Sequence, residues 1–141
     1  MDSTLIDDIT TLTRKMRTVF DNKVKVRGLT LARARILRLL KRSGAGLTQS
    51  VLASELEIEG PTLVRLLDNL EGLGWIERQP VEGDRRAKQI ALTQAGLLEA
   101  EEVERIARDF REALFRDIDP AEMATAIRVI ALVHANMEND L

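Results

Sequence analysis

The apolar residues of this chain change their spacing at one point, and that change limits what the chain can fold into. Leu63, Leu66, Leu67, Leu70 and Leu73 recur at i, i+3, i+4, i+7 and i+10, the spacing of one helix face. Pro61 opens that helix where proline is tolerated, and Gly74 ends it. Directly afterwards Trp75-Ile76-Glu77-Arg78-Gln79 reads as a short strand. Lys88-Gln89-Ile90-Ala91-Leu92-Thr93 alternates like a second, and the turn-forming Pro80-Val81-Glu82-Gly83-Asp84 lies between them. A helix running straight into a β-hairpin leaves few architectures open.

The flanking segments narrow them further. Leu5, Ile9, Leu12, Met16 and Val19 step by 4, 3, 4 and 3, close to the coiled-coil period, and the stripe fades before Gly28. Thr30 is the expected N-cap of a helix running to about Arg42, closed by Ser43-Gly44-Ala45-Gly46. Thr48 caps a helix of about two turns, and Glu57-Ile58-Glu59-Gly60 is a turn. Beyond the hairpin, Thr93 caps a long helix that sets Val103, Ile106, Ala107, Phe110 and Leu114 on one face. Asp119-Pro120-Ala121-Glu122 starts the last helix, which runs to about Asn139. Its Val129-Ile130-Ala131-Leu132-Val133 is apolar all round, so it must be covered on more than one side. In 141 residues the natural second cover is another subunit.

The predicted fold is therefore mainly α (α+β), a winged helix-turn-helix between terminal helices. Residues 1–29 form an N-terminal dimerisation helix and residues 30–93 the winged domain, with the recognition helix at 61–74 and the wing at 75–93. Residues 94–141 form C-terminal dimerisation helices.

Composition removes whole classes of function. Without cysteine there are no disulfides, no cysteine-ligated zinc, no iron–sulfur cluster and no thiol-based redox sensing. One His, no Tyr, no phosphate loop and no recognisable carboxylate pair argue against an enzyme, and no metal or cofactor is expected. No apolar run approaches the roughly 20 residues of a membrane span. The segment MDSTLIDD is acidic where a signal peptide is basic, so a cytoplasmic protein is expected.

The net charge of -2 hides an uneven distribution. Residues 1–42 carry 11 basic and 4 acidic side chains, residues 43–96 carry 5 and 8, and residues 97–141 carry 5 and 11. Local basic patches rather than the total decide nucleic-acid binding, and the acidic C-terminal third is unsuited to phosphate. On the helix at 61–74, Thr62, Arg65 and Asn69 lie opposite the leucines, with Pro61 at the tip. A helix-turn-helix presents such a face to the major groove, where a guanidinium grips guanine bidentately. Arg65 is the candidate base reader, or else a solvated partner of Asp68 or Glu59. The hairpin carries Arg85, Arg86 and Lys88, cations suited to the minor groove, and Asp84 two residues before Arg86 could aim it. A solvated turn is the alternative use of these residues. Arg35, Arg38 and Arg42, with Arg33 nearby, could reach phosphates, line an anion cleft, or form a solvated helix face. His134, in an apolar stretch, suits an interface.

These residues resemble the MarR family of bacterial transcription regulators, and its SlyA branch most closely. The resemblance runs over essentially the whole chain. It is strongest in Ile58-Glu59-Gly60-Pro61-Thr62-Leu63-Val64-Arg65, in Leu70-Glu71-Gly72-Leu73-Gly74, and in Asp84-Arg85-Arg86-Ala87-Lys88-Gln89-Ile90-Ala91-Leu92-Thr93 with Gly96. The family's wing pattern, Asp-x-Arg, then Ile or Leu, then Leu-Thr with Gly, is met by Asp84, Arg86, Ile90, Leu92, Thr93 and Gly96. The resemblance implies an obligate homodimer with interleaved terminal helices, bound to a pseudo-palindromic double-stranded DNA operator. Pro61, Thr62 and Arg65 would then enter the major groove, with Arg85 and Arg86 serving the wing and Asp84 orienting Arg86. It also implies release by a small aromatic or anionic effector, whose binding residues the sequence leaves unassigned; Arg17, Arg33 and Arg35 are candidate counter-charges. The competing expectation, from another functional class, is a winged-helix protein-interaction module without sequence-specific DNA binding. The chain's acidity favours that module, and the clustered wing cations oppose it.

Overall fold

A computed structural model describes residues 3–140, apart from the side chains of Ser3 and Arg85. The elements in order are α1 (Ser3–Lys25), α2 (Leu31–Ser43), β1 (Leu47–Thr48), α3 (Gln49–Leu56), α4 (Gly60–Gly72), β2 (Ile76–Val81), β3 (Asp84–Leu92), α5 (Gln94–Leu114) and α6 (Pro120–Asp140). The chain divides into two compact units, Met1–Arg108 and Asp109–Leu141.

In the first unit the helix starts follow local chemistry. The Thr30 hydroxyl accepts the Arg33 N–H at 3.4 Å, and the Asp21 carboxylate of α1 accepts the Leu31 N–H at 2.8 Å. Two of the orphan donors of α2 are thereby satisfied. Thr48 does the same for α3 through the Val51 N–H, at 3.3 Å. Helix α4 opens at Gly60 and closes at Gly72, one residue earlier and two residues earlier than the expected 61–74. Its end is a Schellman motif, in which the Gly74 N–H donates to the Glu71 carbonyl and the Trp75 N–H to the Leu70 carbonyl. Gly74 takes the left-handed φ of +77° that this motif requires.

The sheet has the antiparallel order β1-β3-β2. Strand β1 was not anticipated, because two residues are too few to display an alternation. Thr48 is both its last residue and the cap of α3. It lies against the middle of β3, Leu47 opposite Ile90 and Thr48 opposite Gln89. The hairpin turn is also tighter than expected. It consists of Glu82-Gly83, with Gly83 at φ +84°, so β3 begins at Asp84 rather than Lys88. Regular pairing of β2 with β3 ends at Pro80–Lys88, and the next pair is Val81–Asp84. Arg85, Arg86 and Ala87 therefore fall between two pairs, outside the regular register.

Leu63, Leu67 and Leu70 of α4 are fully buried with Ile36, Leu37 and Leu52, whereas Leu73, at the helix cap, is 48% exposed. Helix α1 departs from its sequence stripe. The core takes Phe20 and Val24, with Leu29 beyond the helix, while Leu5, Ile9, Leu12 and Val19 stay 43–55% exposed. Ion pairs tie the N-terminal half of the unit to α5. Arg27 grips Glu99 bidentately, Nε to Oε1 at 2.7 Å and Nη2 to Oε2 at 3.0 Å, and Arg38 Nε meets Glu104 Oε1 at 2.8 Å. The Glu99 hydrogen bond raises the Arg27 pKa further.

The start of α5 is locked to the base of the hairpin. The Thr93 hydroxyl donates to the Gly74 carbonyl at 2.6 Å and accepts the Gly96 N–H at 3.0 Å, while the Thr93 N–H donates to the Trp75 carbonyl at 3.1 Å. A β-carbon on Gly96 would stand 1.7 Å from the Trp75 carbonyl oxygen. The Leu-Thr and Gly positions of the wing pattern thus hold the hairpin's base in place.

The second unit contains α6. The Asp119 carboxylate accepts the Ala121 N–H at 3.4 Å, as a cap should, while Glu122 returns no side-chain bond among the described residues. None of the residues of α6 is buried, and Ile127, Ile130, Val133 and Met137 are each at least half exposed. No helix among the described residues is long and apolar enough to cross a membrane.

Candidate nucleic-acid interface

Helices α3 and α4, joined by the turn at Glu57, form a helix-turn-helix. Glu57 sits in the left-handed region at φ 54°, and its N–H donates to the Ser54 carbonyl while the Ile58 N–H donates to that of Ala53. At the entry of α4 the N-cap Glu59 makes no side-chain capping bond, so the first-turn N–H groups keep their donors open. Pro61, Arg65 and Asn69 are exposed and Thr62 is half-buried, all on the side away from Leu63, Leu67 and Leu70.

Arg65 was expected either to read a base or to pair with Asp68 or Glu59. Among the described residues it makes no ion pair, and Asp68 is engaged elsewhere. Arg78 of β2 reaches across to α4, with Nη2 2.8 Å from Asp68 Oδ1 and Nη1 2.7 Å from Glu71 Oε1. Sequence reasoning missed this clamp, because the three residues come from two elements and only their packing brings them together.

On the hairpin, Arg86 and Lys88 are exposed and make no ion pair among the described residues. The side chain of Arg85 lies outside the described residues. Asp84 was expected to aim the Arg86 guanidinium. Its carboxylate instead accepts the backbone N–H of Arg86, at 2.9 Å, and so shapes the backbone that carries the side chain. The arginines of α2 divide. Arg38 is taken by Glu104, Arg35 donates to the Leu56 carbonyl at 3.4 Å, and Arg42 is exposed.

A helix-turn-helix followed by a hairpin on a three-stranded antiparallel sheet defines a winged-helix DNA-binding fold. Residues 27–87 match the MarR family. Over 96% of this chain and 98% of the other, the structure is similar to that of the transcriptional regulator PA3341, at 36% identity and a TM-score of 0.85. The chain belongs to the MarR family of transcriptional regulators. It is also similar to a mutant of MarR from E. coli complexed with operator DNA, at 25% identity and a TM-score of 0.79, covering 92% and 93% of the two chains. A MarR transcriptional regulator from Methanosarcina mazei Go1 shares the fold, at 24% identity and a TM-score of 0.82 over 99% and 100%.

Proposed function

We propose that this regulator binds pseudo-palindromic operator DNA as a homodimer, with α4 in the major groove and the β2–β3 hairpin in the minor groove. One observation carries this reading. Arg27, Arg38, Arg78 and Arg105 are spent on internal carboxylates, whereas Arg65, Arg86 and Lys88, on the two elements that would meet DNA, make no ion pair among the described residues. An operator complex of a 25%-identical relative supports it. In a two-fold dimer the recognition helices would stand about 34–36 Å apart, in successive major grooves. Residues 1–29 and 94–141 would supply the dimer contacts, and the winged domain at 30–93 the DNA contacts.

Pro61, Thr62, Arg65 and Asn69 are assigned to the major groove. Arg85, Arg86 and Lys88 are assigned to the wing, whose course Asp84 sets. The motifs at 58–74 and 84–96 favour the SlyA-like branch, and a small aromatic or anionic effector would release the DNA. Such a regulator works on the chromosome, in the cytoplasm, and its role is binding rather than catalysis.

Fluorescence anisotropy against a panel of palindromic duplexes, including the gene's own upstream region, tests the reading across a salt series. Saturation at one dimer per palindrome is expected, tighter than on random duplex and weakening with salt. Arg65→Ala is expected to cost about 1–3 kcal/mol and to relax preference at one position per half-site. Binding no tighter than to random DNA, in the panel and in a genome-wide selection, would leave the protein-interaction module instead.

A further inference from the structure

The Arg78 clamp joins the two elements that would contact DNA. Asp68 and Glu71 lie three residues apart on α4, so one guanidinium can hold both. Arg78 lies two residues beyond the buried Ile76 on β2 and so projects from the same face of the strand. Its side chain is only 19% exposed, against 63% for Asp68 and 45% for Glu71. The Arg78 side chain is therefore mostly covered, and it meets the two carboxylates at the surface.

Two consequences follow. Asp68 stands three residues after Arg65, within reach of a helical ion pair, but its carboxylate is held by Arg78, and Arg65 makes no ion pair among the described residues. The same contact fixes the first wing strand against the recognition helix. We propose that Arg78 is a positioning residue for DNA recognition, making the major-groove and minor-groove readers one rigid unit and keeping Asp68 away from Arg65. This rests on the operator-binding reading above.

A double-mutant cycle on the full-length protein tests it, with operator affinity, melting temperature and oligomeric state measured for each variant. Arg86→Ala alone is expected to weaken operator binding by roughly 10-fold while leaving the dimer intact, and in an Arg78→Ala background its further effect should shrink to about 3-fold or less. Asp68→Asn combined with Glu71→Gln breaks the clamp from the other side with near-isosteric groups, and should shrink the Arg86 effect in the same way. This second route serves if Arg78→Ala fails to fold. A purely structural role for Arg78 would lower the melting temperature but leave the Arg86 effect equal in both backgrounds, and that equality would overturn the proposal. Should Arg86→Ala change nothing in the otherwise native protein, the wing has no DNA role and the proposal falls with it. Loss of operator binding on Arg86→Ala with equal effects in all backgrounds would leave operator binding standing and remove only the clamp.

Discussion

Gly96→Ala is expected to destabilise the winged unit by about 3 kcal/mol or more, lowering the melting temperature by roughly 12 °C or more. The added β-carbon would lie 1.7 Å from the Trp75 carbonyl oxygen, with the Trp75 carbonyl carbon at 2.7 Å. Backbone cannot rotate away as a flexible side chain can, so the start of α5 must move off the hairpin base. That movement also breaks the Thr93 bonds to Gly74 and Gly96. Gly72→Ala is the matched control. It lies at the last helical residue, its β-carbon would meet nothing within 4 Å, and it should hold or raise stability by up to about 1 kcal/mol. Thermal melts of the two variants decide the point. A Gly96→Ala protein that melts with the native one would show that α5 is not seated on Trp75.

Charging α6 should separate folding from assembly. Ile130→Asp combined with Val133→Asp places carboxylates on side chains that are 53% and 50% exposed in the single chain. Their replacement therefore costs the winged unit little. In the proposed homodimer these positions are covered. Together with Leu5, Ile9 and Leu12 of α1 and Ile127 and Met137 of α6, covering them would contribute on the order of 1 kcal/mol per side chain. The variant is expected to be monomeric by sedimentation, to keep its winged unit folded, and to lose roughly 100-fold or more in operator affinity, because two half-sites no longer bind together. Deleting residues 120–141 should do the same. A variant that stays dimeric, or a monomer that binds the operator at native strength, would refute the architecture.

Much of the candidate interface was legible because its signals are local. The leucine spacing of 63–70 required a helix with Arg65 on its outer side, and the structure buries Leu63, Leu67 and Leu70 accordingly. The threonines at 30, 48 and 93 were read as caps, and each accepts a backbone N–H at the start of the following helix. The Arg78 clamp was not legible, since a lone Arg in a strand carries no pattern that names a partner 7 or 10 residues away on a helix. Asp84 was expected to aim the Arg86 guanidinium, yet its contact proved to be the Arg86 backbone N–H. A sequence separation of two residues is compatible with both, and only the turn geometry selects one.

Helix α1 marks the boundary between the two kinds of information. Its amphipathic period is intrinsic, because side chains 3 and 4 residues apart share a face whatever surrounds them. By itself the sequence determined that these helices form, with the ends of α4 placed to within about two residues, and that α4 is followed by a hairpin. The tertiary structure decided that Phe20 and Val24, rather than Leu5, Ile9 and Leu12, enter the chain's own core. It also decided that β1 joins the sheet, that Gly96 must lack a side chain, and that Asp68 belongs to Arg78. Each of those outcomes depends on what packs against a residue from elsewhere in the chain, and local periodicity holds no record of it.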